Sequence, residues 1–522
     1  MNNAPAIIRS LIVYAVVVPL AITVGYMLTN PMDYSTLGLF GIVGLVLVSP
    51  LLLRMHYPLL LFSWFCVIKV FFLMTGPNLW LVMVVLSLGI SVLERTLNSQ
   101  MHFIRVPQIT WPLIALIAVV IVTAEATGGF GLRALGSAVY GGKKYVYLLI
   151  GIMSYFALTS RRIPPEKIGL YVALFFLGPI TGIVGDFFSI APSWLHPVFY
   201  VFPPALNSAE AFELGKTRMG GVGGAAIAMI LWMLSKYGVR GILLSGKLWR
   251  PFLFTVFFVL VFLGGYRSGL FIVVVAFVFM FFLEGLHRTR LLPAFVLAGI
   301  LGAALLVSFA NKLPYTFQRT LAFLPLNLSQ EALSSAEDST NWRFDMWKAL
   351  LPQIPPHLLL GTGYAIAPEE FNEMMGTDTA MATAAGQFDP GQNSLALSSD
   401  FHNGMLSIVL CFGIWGVLAF IWFAFAGLRV MYLNMKYGDP ALYHVNSLLF
   451  ILFLDEVASY LSCVAGLSLA VDIGYFTGYL GFSIALNNGV CQPAPQPVQA
   501  DKAFLRPRGV LPDARPRPAF PR

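Results

Sequence analysis

The sequence predicts an all-α fold: a polytopic membrane helical bundle of ~14 transmembrane helices with one long, partly helical periplasmic loop. Three observations predict it. Of 522 residues, 58% are hydrophobic and only 11% charged, against about 25% charged in a soluble domain; mean hydropathy is +0.79. Apolar runs of roughly 18 residues or more recur along the chain, each long enough to cross a bilayer. Most of the 32 Lys and Arg residues fall between or at the ends of those runs in an alternating pattern. This composition excludes a soluble enzyme, a disordered chain and a nucleic-acid binder with a large polar face. A length that would suggest about three soluble domains is taken up by one membrane domain.

Spans are expected at Ile7–Leu28, Tyr34–Leu53, Pro58–Met74, Leu79–Leu93, Ile109–Thr127, Val146–Thr159, Ile168–Phe188, Gly220–Ser235, Phe252–Gly265, Leu270–Leu283, Leu291–Ala310, Asn403–Val430, Ala441–Ala458 and Leu467–Leu486. The first is long enough to span, so it reads as a helix and not as a cleaved leader. The chain divides into N-terminal transmembrane helices (1–190), central transmembrane helices (191–310), a long periplasmic loop (311–401), C-terminal transmembrane helices (402–487) and a disordered cytoplasmic tail (488–522). With the N-terminus in the cytoplasm, twenty-one basic residues lie inside and ten outside, Lys69 falling within a span. The positive-inside rule then places both termini in the cytoplasm. The four cysteines form no disulfide framework: Cys66 and Cys411 sit inside apolar runs, Cys463 at the end of one and Cys491 in the tail.

The long loop differs from every other connection. It carries ten carboxylates against four basic residues, and roughly 90 residues far exceed an ordinary link. Ser339 or Thr340 can cap a helix beginning near Asn341, in which Trp342, Met346 and Leu350 recur at helical spacing. Pro352, Pro355 and Pro356 are expected to stop it. A sizeable external loop of this kind usually carries function.

Three places hold polar groups that packing alone explains poorly. Gly264-Gly265-Tyr266-Arg267-Ser268-Gly269 is a tight outer connection. Arg267 there is either an interfacial arginine snorkelling to lipid phosphate or an anion-binding arginine facing a cavity. In the loop, Arg343 and Trp347 are four apart and share a helix face. Arg343 can equally make a surface contact with Asp345 or an aromatic ring, and Gly361 and Gly363 in Leu360-Gly361-Thr362-Gly363 can be plain turn residues. Third, Asp400-Phe401-His402-Asn403 stands where the chain re-enters the membrane. The positive end of a helix dipole favours an uncharged ring, the form a general base needs.

Together these residues resemble the signature of the bacterial O-antigen ligase and polysaccharide polymerase superfamily. The resemblance rests on Arg343 and Trp347, the proline stop, Leu360-Gly361-Thr362-Gly363, His402-Asn403 with Leu406, and Gly413 with Gly416. Tyr266-Arg267-Ser268-Gly269 is similar to the family's short Ser-Arg-Gly segment, with tyrosine in place of the small residue. Arg218-Met219-Gly220-Gly221 resembles an earlier arginine–glycine motif, without the Asn-Pro-Asn that follows it in the family. The resemblance implies a fold similar to the lipid-dependent (GT-C type) glycosyltransferases, and inverting glycan transfer from a polyprenyl (undecaprenyl) diphosphate carrier. It calls for no cofactor and no metal. His402 is then the catalytic residue, Arg267, Arg343 and Arg218 bind diphosphate, and Asn403, Trp347, Gly361 and Gly363 support them. A diphosphate leaving group needs no general acid, and arginines stabilise the charge it develops. The implied partners are the undecaprenyl-diphosphate-linked glycan donor, a glycan or lipid acceptor, membrane lipids, and a chain-length regulator or export proteins, with no nucleic acid. The implied location is the inner membrane.

Within the family the additional spans favour an exopolysaccharide or O-antigen polymerase over a ligase acting on lipid A core. A lipid-linked oligosaccharide flippase or secondary transporter is the rival from another class, but no pair of matching halves is visible. A metal-dependent polyprenyl-phosphate sugar transferase would need paired carboxylates in its first outer loop, where only Asp33 occurs. A structural scaffold would leave the Arg343 and His402 motifs without a reason.

Overall fold

Lipid offers backbone N–H and C=O groups no partner, so the apolar runs fold as helices that satisfy themselves. The computed structural model describes residues 34–73, 76–98, 102–131, 139–204, 218–367, 401–461 and 469–493, with single positions at 100 and between 14 and 25. In chain order the main helices are α1 (Tyr34–Ser63), α2 (Leu79–Leu97), α3 (Pro107–Ala126), α4 (Gly142–Leu158), α5 (Ile168–Leu177), α6 (Gly182–Ser189), α7 (Gly220–Leu243), α8 (Trp249–Val261), α9 (Arg267–Leu283) and α10 (Leu291–Phe309). They continue as α11 (Tyr315–Leu321), α12 (Gln330–Leu350), α13 (Ile354–His357), α14 (Gly404–Tyr437), α15 (Tyr443–Leu461) and α16 (Leu469–Leu486). Among the described residues there is no strand, and eight helical segments are long and apolar enough to cross a membrane, beside three shorter apolar ones. The protein is an all-α polytopic membrane protein.

Two expected spans, Tyr34–Leu53 and Pro58–Met74, are corrected. They form one helix, α1, with Pro50 and Pro58 inside it, and 64–73 is turn and irregular chain. The step Arg54-Met55-His56 reads as a gap between spans because it is polar. In the bundle His56 is buried, its Nδ1 2.8 Å from Ser87 Oγ and its Nε2 3.7 Å from Glu94, which also pairs with Arg161. Polar side chains with partners inside the bundle need no loop. Lys69 accordingly leaves the membrane-spanning part: it bridges to Asn78, and its charge acts on Lys143 at the start of α4. The first expected span falls largely outside the described residues, as do the loop carboxylates from Glu369 to Asp400 and most of the tail.

The helix of the long loop also begins earlier than expected. α12 starts at Gln330 behind Ser329, eleven residues before Asn341, because Ala332 and Ala336 pack inward and extend its buried face. As expected, α12 ends at Leu350, just before Pro352. Pro352 and Pro355 stand in the first turn of the two short helical turns that follow, where no intrahelical N–H is required.

Packing is tightest where α16 meets α4 and the end of α1. Gly478 lies against the Trp64 indole, Gly474 against Trp80 and Gly481 against Leu158; small residues at such contacts let helix backbones close. Ser154 on α4 and Thr477 on α16 add a hydroxyl pair at 2.7 Å. α10, by contrast, contributes no buried residue and lies at the periphery. Two helices are broken by a left-handed glycine. In α7 the break is Gly238, and Glu284 caps the resumed helix through Val239 N and Arg240 N, both at 2.7 Å. In α14 it is Gly413, at φ 63°.

Gly413→Ala should lower the thermal midpoint of the detergent-purified protein by an amount equivalent to at least ~1 kcal/mol. The position combines positive φ with a Cβ 2.7 Å from the Leu358 and Leu359 carbonyls. Gly299→Ala, with open space around it on α10, should be neutral or slightly stabilising. Equal midpoints for the two variants would contradict this reading of the break.

Candidate functional site

The site begins with a turn. α8 runs into a 3₁₀ turn, Phe262–Gly264, and Gly265 closes it at φ 67°, a conformation glycine adopts without strain. Gly264 lies against Gly223 on α7. The Gly265 carbonyl accepts from Arg319 Nη1 at 2.9 Å and, at the long distance of 3.5 Å, from Arg218 Nη2. The Arg218 guanidinium also stands over the Tyr266 ring, 4.9 Å from its centroid. That contact gives the tyrosine before Arg267 a role that a small residue would not fill.

Arg267 opens α9 and donates from Nη2 to the Ala336 carbonyl at 3.2 Å. Arg319 Nε donates to Ser335 Oγ, also at 3.2 Å. Both bonds reach α12, which lies across the turn and carries Arg343 on the same face as Ala332, Ala336 and Trp347. The charges of Arg319 and Arg343 both act on Arg267. Both therefore oppose its charge, and among the described residues neither Arg267 nor Arg319 has a carboxylate in ion-pair range. Of the alternatives left open for Arg343, the pairing with Asp345 is not formed among the described residues; Asp345 lies 3.9 Å from Lys348.

One turn along α12, roughly 6 Å of rise, Trp347 Nε1 donates to the Phe401 carbonyl at 2.8 Å. The next residue is His402, half-buried and at φ 47°. A non-glycine residue in that region costs about 1–3 kcal/mol and persists only when its surroundings impose it. They do so here from both sides. Asn403 caps α14, its side-chain oxygen accepting from Leu406 N at 3.0 Å, and Gly404 rests on the Tyr460 ring with no room for a side chain. The loop helix and the start of α14 are thus fastened together beside the histidine.

Gly361 and Gly363 do a different job from the phosphate contact that a Gly-x-Gly suggests. Both have positive φ. Thr362 N and Gly363 N donate to the Leu410 and Cys411 carbonyls at 2.7 and 2.9 Å, and Ile414 N donates back to Leu358 at 2.7 Å. The segment splices into the break at Gly413, while Tyr364 N reaches Tyr145 Oη at 2.7 Å. These glycines set the angle of α14. Their neighbouring amides are already spoken for.

Arg319 was not singled out by any motif. Only its place in the same outer segment as Arg343 pointed towards it. Among the described residues no three His, Cys, Asp or Glu side chains gather to hold a metal ion; the charges assembled here are cationic and suit an anion. Residues 252–421 match the family model described as O-antigen ligase. That segment is similar to the O-antigen ligase family. The matched segment contains Arg267, Arg319, Arg343, Trp347, His402 and Gly413, whereas Arg218 precedes it. A search of curated proteins finds no match to the chain. The O-antigen ligase match supports a membrane glycosyl-transfer function in O-antigen or polysaccharide assembly.

Trp347→Phe keeps the ring and removes the donor to Phe401. Amide exchange at His402–Leu406 should then quicken by about 3- to 10-fold, the equivalent of one hydrogen bond, with α16 unchanged. Unaltered exchange would mean that α12 does not hold the histidine.

Proposed function

We propose that the protein transfers a glycan from polyprenyl (undecaprenyl) diphosphate to an acceptor hydroxyl at the periplasmic face of the bacterial inner membrane, as a polymerase of exopolysaccharide or O-antigen. The observation that carries this reading is that the Arg343 charge acts on Arg267 while Trp347, one helical turn from Arg343, fastens the chain beside His402. In the reaction, the acceptor oxygen bonds to the anomeric carbon as the carbon–oxygen bond to diphosphate breaks. The bonding pair leaves with the diphosphate, and the hydroxyl proton passes to His402, which later gives it to water. Arg267, Arg343 and Arg218 hold the departing anion. Guanidinium groups suit phosphate because they can donate two parallel hydrogen bonds and stay charged. The cationic cluster supplies the charge stabilisation for which a divalent ion would otherwise serve.

The excess of basic residues on the connections at the opposite side supports cytoplasmic termini and a periplasmic site. A second reading, ligation of the finished chain to lipid A core or another acceptor, is favoured by the description of the matching family. Both readings use the same donor and differ in acceptor.

Deletion of the gene followed by glycan sizing separates them. Single repeat units on the carrier lipid are expected for a polymerase, and long carrier-linked chains absent from the surface acceptor for a ligase; neither pattern would point to transport. His402→Ala should reduce chain formation by at least ~100-fold at normal protein level, the usual span of a general base. Wild-type chain formation in that variant would remove His402 from the chemistry. Arg267→Lys keeps the charge but loses the two-bond grip, and should lower turnover about 10-fold.

A further inference from the structure

Arg319 lies outside every motif, yet it touches the turn that sets Arg267 and the helix that carries Arg343. Its two hydrogen bonds, to the Gly265 carbonyl and the Ser335 hydroxyl, go to neutral acceptors. The same holds for Arg267 and the Ala336 carbonyl. Neither acceptor requires a charged donor: a neutral amide can donate to a carbonyl or a hydroxyl. Placing a third full charge beside Arg267 and Arg343 is unfavourable in the free protein, and among the described residues no carboxylate offsets it for Arg267 or Arg319. Such an arrangement is sustained when a ligand of opposite charge is its normal occupant.

We infer that Arg319 is a further donor-binding residue, its guanidinium forming with those of Arg267 and Arg343 one cradle for the lipid-linked diphosphate. The inference rests on the function proposed above and adds a residue to its site. Arg319 reaches the anion with the Nη2 edge while Nη1 and Nε hold Gly265 and Ser335. Its loss therefore weakens the cradle in charge and loosens the turn that aims Arg267. Arg319 sits on α11, so the short helix between α10 and α12 becomes part of the binding site and not a mere connector.

The test is binding of undecaprenyl diphosphate, and of undecaprenyl monophosphate for comparison, to the purified full-length protein in detergent. The proteins compared are wild type, Arg319→Ala, Arg319→Lys, Arg319→Gln and Arg267→Ala, each with its thermal midpoint recorded. We expect Arg319→Ala to weaken diphosphate binding at least tenfold, to affect the monophosphate less, and to reduce the sensitivity of binding to added salt. Arg319→Lys should recover part of the loss, and Arg319→Gln, which retains a donor for Gly265 but no charge, should not. Recovery by Gln and not by Lys would overturn the inference and leave Arg319 a tether. Wild-type affinity in Arg319→Ala with weakened Arg267→Ala would also overturn it, and leave the function standing. Wild-type affinity in both variants would overturn the inference together with the diphosphate reading of the site.

Discussion

Like charges gathered in a partly buried site repel one another, because less water lies between them to screen the field. Arg267, Arg319 and Arg343 accept that repulsion at the tip of α9. The surrounding structure is arranged to hold them there. Main-chain carbonyls and one hydroxyl, not carboxylates, take up the hydrogen bonds of Arg267 and Arg319. Neutral acceptors orient a guanidinium without neutralising it, so the charge stays available to an anion. This single constraint gives a purpose to features that otherwise look unrelated. Gly265 closes the turn, Gly264 and Gly223 let α7 and α8 approach, and α12 is laid across the cluster.

The second requirement is registration between the cationic cluster and His402, which arise from opposite ends of a long loop. α12 meets it by carrying Arg343 and Trp347 on one face, one turn apart. Trp347 then seizes the chain at Phe401. Beyond His402 the path is set by the capped start of α14 and by its break at Gly413, into which residues 358–364 are spliced. Rigid elements therefore meet the histidine from both directions, as a group that must face a reacting atom requires. A left-handed backbone at a non-glycine residue is the local sign of that enforcement.

Much of this was legible in the sequence, and the misses have physical causes. Long apolar stretches announced the helices, and sparse external charge made Arg267, Arg343 and His402 stand out. The split of α1 into two spans failed because hydropathy cannot tell a polar gap from a polar residue with partners. Ser87 and Glu94, which receive His56, come from another helix. The start of α12 was misplaced for a similar reason: Ala332 and Ala336 are small and apolar, and only their burial against the bundle shows that the helix face continues through them. The two loop glycines were readable as turn residues, and their positive φ and the Leu410 and Cys411 carbonyls tie that turn to the bend of α14, a partner that local sequence does not show. Arg319 remained hidden because its relation to Gly265 exists only in three dimensions.

The most direct measurement uses purified protein reconstituted in liposomes with the undecaprenyl-diphosphate-linked repeat unit as the only glycan, without nucleotide sugar and with a chelator present. Release of free undecaprenyl diphosphate is followed together with the length of the remaining lipid-linked glycan. Glycosyl transfer at the arginine cluster predicts one free undecaprenyl diphosphate for each repeat unit added. A donor that stays intact while moving between leaflets, with no diphosphate lipid released, would contradict it.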